Sequence, residues 1–150
     1  MLTIVVAIDE IADIFITNNG IEARFVRFFQ CYQRAADTYR AKGFDEEWIN
    51  KRLRSIISRK KLTDVWRENG VDGPTEFAIP TNEIYKEWSG MTAKEYKNFK
   101  GLRKENLRDN MSDLEVLLAD IGETATREIA KAKRSQGLKE NKKVAKTGGK

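Results

Sequence analysis

Within residues 86–108, cationic and aromatic side chains alternate: Lys86, Trp88, Lys94, Tyr96, Lys97, Phe99, Lys100, Arg103, Lys104 and Arg108. Seven basic residues stand there against Glu87, Glu95 and Glu105, a local net charge of +4. Ammonium and guanidinium groups neutralise phosphate, and an exposed ring beside them gives a base a face to stack on. On a shared face, Lys94, Lys97, Lys100, Arg103, Lys104 and Arg108 would meet successive phosphates. The competing reading places Trp88, Tyr96 and Phe99 in a core and leaves the cations simply solvated; the residues alone keep both open.

Two further basic groups carry the same chemistry. Arg59, Lys60 and Lys61 form a short run, a pattern that more often marks a solvated face than a site. Residues 127–150 hold nine basic residues against Glu128 and Glu140, a net +7 in a chain whose total is +5. Everything before them therefore sums to −2, and the first fifty residues alone to −3. An acidic head joined to a basic end points to a polyanionic partner at that end, with Arg127, Lys131, Arg134, Lys142 and Lys143 as candidate contacts.

Other chemistries are disfavoured by composition. The chain has no histidine, which removes the commonest general base and every Ser-His-Asp or Cys-His arrangement. Cys31 is the only cysteine, so no intramolecular disulfide forms and the usual zinc sites cannot be assembled. Carboxylate-and-lysine nucleases need no histidine, but among 23 acidic residues a linear match carries little weight. The expectation is a non-enzyme with no cofactor and no bound metal. Residues 1–16 are apolar but carry Asp9, Glu10 and Asp13 without a basic start or a small-residue cleavage site, so neither a membrane span nor a signal peptide is expected. A cytoplasmic location in a bacterial host follows as an expectation, with a homo-oligomer open.

The elements that must position these groups are mainly α. In residues 21–42, Phe25, Phe28, Phe29, Tyr32, Ala35, Ala36 and Tyr39 fall on one helical face, read as core, and Gly43 supplies the stop. A second helix runs over 45–69 from the acidic start Asp45, Glu46, Glu47. Its stripe of Ile49, Leu53, Ile56 and Ile57 lies about 180° from Leu62, Val65 and Trp66, so it either breaks near 58–61 or packs on two sides. Gly73-Pro74 reads as a loop, and Pro80 predicts an extended segment near 75–80. A short helix then ends at Ser89-Gly90. Thr92 with Glu95, and Ser112 with Glu115, have capping-box spacing. The second box opens a longer helix whose buried face is expected to be Leu114, Leu117, Leu118 and Ile121, with Gly122 a candidate kink. Residues 136–150 offer only Leu138, Val144 and Ala145 for burial and predict a flexible basic tail. The expected layout is one helical domain over 1–135, its acidic part at 1–44, followed by that tail.

Three blocks of this sequence carry a likeness. Trp88-Ser89-Gly90-Met91-Thr92-Ala93-Lys94-Glu95-Tyr96 is followed by Lys100-Gly101-Leu102-Arg103-Lys104-Glu105-Asn106-Leu107-Arg108-Asp109-Asn110-Met111-Ser112. Leu114-Glu115 and Glu123-Thr124-Ala125-Thr126-Arg127-Glu128-Ile129 complete it. Together they resemble the C-terminal region of prophage BRO-family proteins and, more distantly, the C-terminal half of the DNA-damage-inducible protein D family. The likeness runs from near Trp48 through Gly149, about two thirds of the chain. It implies a phage or prophage-type regulator of DNA metabolism; damage-inducible protein D is associated with the SOS response and with recombinase filaments on single-stranded DNA. BRO-type proteins carry an N-terminal domain held responsible for DNA binding, whose pattern is absent from residues 1–45. Relatives run on past the Gly-Gly pair, which implies an early end at Lys150. No catalytic residue is carried over. The resemblance thus implies either a single- or double-stranded DNA partner held by basic surfaces, or a phage-encoded inhibitor of a host recombinase or antiviral defence nuclease.

Overall fold

The structure, a computed structural model, describes residues 21–150, with side chains from residue 26 onward. The apolar opening at 1–16 and the Phe25 side chain lie outside the described residues. The described chain is mainly helical, without strands: α1 (Ile21–Ala41), α2 (Glu46–Glu68), α3 (Gly73–Ser89), α4 (Ala93–Phe99), a 3-10 turn (Arg108–Asn110), α5 (Asp113–Lys133) and α6 (Gly137–Gly148). None of these helices is long and apolar enough to cross a membrane. Two compact units result, one ending at Arg54 and the other running from Ser55 to Lys150.

In the first unit, α1 stops where Gly43 adopts φ +86°, as the glycine predicted. Asp45 accepts the Trp48 N–H at 2.8 Å and so starts α2. Ala36, Tyr39, Trp48, Ile49 and Leu53 form the core, closed by Phe44 stacked on Trp48 at 3.9 Å. The aromatic stripe of α1 is core only towards its C-terminal end. Tyr39 is buried and Tyr32 partly so, but Phe29 is exposed.

The second unit carries residues 88–129, the three blocks quoted above. Helix α2 is continuous through 58–61; its early residues Ile49 and Leu53 serve the first core, and Leu62, Val65 and Trp66 serve this one. Leu62, Trp66, Val71, Phe77, Ile84 and Ala145 bring α2, α3 and α6 together. Val65, Ala130 and Val144 join α5 to the same body, and Tyr85, Met111 and Val116 tie in the 100–112 segment. Both capping boxes form: Thr92 and Ser112 each accept the N–H three residues on, and Glu95 and Glu115 accept the cap N–H in return.

Three expectations are corrected. Residues 75–80 are not extended but lie inside α3. Asp72 caps the helix, Pro74 occupies the first turn, where no N–H is needed, and Pro80 is buried within it. Pro80 withholds one backbone donor at a cost of roughly 3 kcal/mol, and burial of Phe77, Ile84 and Tyr85 along the same helix offsets it. Residues 136–150 are not a flexible tail. Their helix α6 buries Asn141, Val144, Ala145 and Gly148, a face of small residues that apolar counting undervalues. Finally, Leu114, Leu117, Leu118 and Ile121 are exposed, whereas the inner face of α5 is Val116, Ala119, Gly122, Glu123, Thr126 and Ala130. Small residues win that face because neighbouring helices come close. A Cβ at Gly122 would sit 2.8 Å from the Ile84 Cγ2, so this glycine serves packing within an unbroken helix.

Candidate nucleic-acid interface

Cations serve a phosphate backbone best when they are exposed and held in a fixed array, and Lys139, Lys143 and Lys146 of α6 meet both conditions. Its buried residues at 141, 144, 145 and 148 leave Lys139, Lys143 and Lys146 exposed on the opposite face at i, i+4 and i+7. These three span about 10 Å of helix axis, the axial length of about three phosphate-to-phosphate steps of one strand. Lys142 is also exposed and approaches Glu83 at 3.7 Å. Glu140, the only acid of α6, is turned back to accept the Gln136 N–H at 2.8 Å.

Beside this stripe, the end of α5 exposes Lys131, Lys133 and Arg134. Arg134 terminates the helix in the left-handed region at φ 49°. The turn into α6 is pinned from beneath. Asn69 donates to the Ser135 Oγ and the Asn141 Oδ1 at 3.3 and 3.2 Å, and its carbonyl accepts the Gly137 N–H at 2.6 Å. Ser135 donates to the buried Asn141 Oδ1 at 2.9 Å, while the Asn141 amide donates to the Gly137 carbonyl at 2.8 Å. A shallow cavity of about 290 Å³ between the two helices is lined by Lys133, Ser135, Glu140, Lys143, Val144 and Thr147. The basic end of the chain is therefore a rigid hairpin of helices.

The candidate cations of the middle segment do not form one face. Helix α4 is only seven residues long, and Arg103 and Lys104 lie beyond it in a turn where Glu105 accepts both their backbone N–H groups. Lys94, Arg103 and Lys104 are exposed and Lys97 is partly so. Lys100 is engaged: its ammonium donates to both Glu115 oxygens at 2.7 and 2.8 Å, and the Tyr96 hydroxyl donates to the same carboxylate. Of the rings, Trp88 and Tyr96 pack against the Tyr85 cluster, whereas Phe99 is 71% exposed and stacks on Tyr96.

Arg59 and Arg108 are engaged by an internal carboxylate. Both guanidiniums converge on Glu123, which is 1% exposed: Arg59 donates to it at 3.2 Å and to the Thr81 hydroxyl at 2.6 Å, and Arg108 makes a two-pronged pair with it. Arg59 also lies over the Trp66 ring. Lys60 pairs with Asp64 at 2.6 Å on an exposed turn, Lys61 is half-buried, and Arg127 folds onto Glu128 at 2.9 Å. Of the residues singled out from sequence, the structure leaves Lys131, Arg134, Lys142 and Lys143 exposed on the α5–α6 hairpin. It adds Lys133 at the end of α5, and Lys139 and Lys146, whose helical spacing was present in the sequence but hidden by the reading of residues 136–150 as a tail.

The Glu115 site has a measurable signature. Burial pushes its carboxyl up, but hydrogen bonds from Lys100, Tyr96 and Ser112 outweigh this and hold it at about 2, below the ordinary 4.5. A carboxylate depressed in the folded state adds stability above the unfolded value that is lost as pH falls towards the folded one. The urea midpoint should therefore drop between about pH 4.5 and pH 2, and Glu115→Gln should flatten that part of the profile. An unchanged profile in the variant would show that the pair contributes nothing to acid stability.

No protein-family model matches the chain, and comparison with curated proteins and with solved structures gave no match either.

Proposed function

We propose that this chain is a non-catalytic regulator of phage or prophage type acting in DNA metabolism, and that it holds DNA by the phosphate backbone along the α5–α6 hairpin. The observation that carries the reading is the lysine stripe Lys139, Lys143 and Lys146 on a docked helix, flanked by Lys131, Lys133 and Arg134. These side chains extend from a scaffold fixed by Asn69, Ser135 and Asn141, so little ordering of the chain is needed on binding. Lysines without a paired base-reading group position a backbone and carry no sequence information. The binding is therefore expected to be sequence-tolerant and steep in salt.

The test is a titration of the full chain against labelled single- and double-stranded DNA from 50 to 200 mM salt. Engagement of six cations would cost about three orders of magnitude in affinity over that range. The triple variant Lys139→Glu, Lys143→Glu, Lys146→Glu should lower the slope of log affinity against log salt by about 3 and leave the thermal midpoint unchanged. Absence of binding at 50 mM salt rejects the reading, and an unaltered slope in the variant removes α6 from it.

A further inference from the structure

Among the described residues, helix α5 leaves an apolar seam without a partner. Leu114, Leu117, Leu118 and Ile121 are 63, 47, 36 and 54% exposed, and the same face continues through half-buried Ala125 to exposed Ala132. Along the axis the seam runs 114, 118, 121, 125, 128, 132, a four-three alternation of the kind that packs helix against helix. We propose that its occupant is a second copy of this chain, with α5 lying antiparallel on α5 about a two-fold axis.

The seam is self-complementary in three ways. It is symmetric about position 123, which is also the midpoint of the helix Asp113–Lys133, so full overlap of two antiparallel helices brings every seam position opposite another. That overlap sets large against small: Leu114 meets Ala132 of the second copy, and Ile121 meets its Ala125. Leu118 meets the aliphatic stem of the second copy's Glu128, whose carboxylate is held aside by Arg127. The charges agree as well. The first turn of α5 is acidic, with Asp113 and with Glu115, which also holds Lys100, and the last turn is basic, with Lys131 and Lys133. Antiparallel pairing places each acidic turn beside a basic one, whereas parallel pairing would stack like on like.

The size of the seam sets the strength. Four part-exposed aliphatic side chains amount to a few hundred Å² on each copy, so the total buried, edges included, falls near the lower bound of about 1,200 Å² for specific interfaces. Such pairs are transient, and a dissociation constant on the order of 10 μM is expected. No residue of the seam belongs to the lysine stripe; Lys131 and Lys133 border both, so the pairing is tested without nucleic acid.

Two measurements on the full chain without nucleic acid decide it. Sedimentation equilibrium from about 1 to 500 μM should show a monomer–dimer equilibrium, weakened at least tenfold by Leu118→Glu with Ile121→Glu, both exposed positions whose thermal midpoint serves as the folding control. In a Cys31→Ser background, Leu114→Cys with Ala132→Cys should form a disulfide-linked dimer under mild oxidation. These positions are about 27 Å apart along one helix, too far for a bridge within a chain. Each single variant should stay unlinked. A chain that remains monomeric at 500 μM overturns the proposal and leaves the seam to a different protein. Cross-linking by Leu114→Cys alone overturns the antiparallel register.

Discussion

Glu123→Ala should cost the fold about 3–5 kcal/mol, the largest loss expected from any single carboxylate among the described residues. The side chain is almost wholly buried on the inner face of α5, and the two guanidiniums that converge on it arrive from α2 and from the 3-10 turn. Removing the carboxylate leaves two cations facing each other with no anion between them, and the hydrogen bond of Arg108 to Tyr85 cannot replace the lost charge. Glu123→Gln should be nearly as damaging, because an amide restores an acceptor but not the charge. The triple change Glu123→Leu, Arg59→Met, Arg108→Met separates the cost of breaking the network from the worth of having it. An apolar core of similar volume is expected to fall within about 1–2 kcal/mol of the parent. Urea denaturation of the four proteins at pH 7 reads all of this. A single-variant loss below about 1 kcal/mol would mean that Glu123 is not the counter-ion of both arginines.

The same network shows why part of the site was legible and part was not. Helix starts and stops could be read because each depends on one or two local residues: Gly43, Thr92 with Glu95, Ser112 with Glu115. The partners of charged residues could not, since Arg59 and Glu123 are sixty-four positions apart and nothing local separates a buried arginine from an exposed one. Apolar periodicity failed on α5 in an instructive way. It identified the amphipathic helix but assigned the leucine face inward, when close packing had reserved that side for Gly122, Ala119 and Ala130. Pro80 misled for a related reason, because a preference of the residue before proline is worth less than the packing that Phe77, Ile84 and Tyr85 gain on a continuous helix. The charge asymmetry of the sequence did locate the basic end of the chain. What it could not provide was the scaffold that turns seven positive side chains into an array.

That scaffold ends on a glycine pair, and Gly148→Ala tests it. Two effects oppose each other. Alanine at a helical position is favoured over glycine by about 1 kcal/mol, and Gly148 is helical with no positive φ to protect, so propensity alone predicts stabilisation. Against this, a Cβ at 148 would lie 2.5 Å from the Thr126 N and 2.7 Å from its Cα, and backbone on α5 cannot rotate away as a side-chain tip could. Overpacking of this kind costs about 1–3 kcal/mol, and the backbone contact puts it at the upper end, so the net change should be a loss of roughly 2 kcal/mol. Helix α6 should bear most of it. Hydrogen exchange in residues 137–148 should rise by more than tenfold while α3 and α5 remain protected, and affinity for DNA at 50 mM salt should fall although no lysine has been altered. Gly149→Ala, whose Cβ would meet the Ile84 backbone at 2.9 Å, should act in the same direction but more weakly, because it lies past the end of α6. If Gly148→Ala raises the thermal midpoint, α6 does not pack on α5 as closely as the structure places it. If exchange rises and DNA affinity stays the same, the lysines act as a loose polycation, and the rigidity of the hairpin is irrelevant to binding.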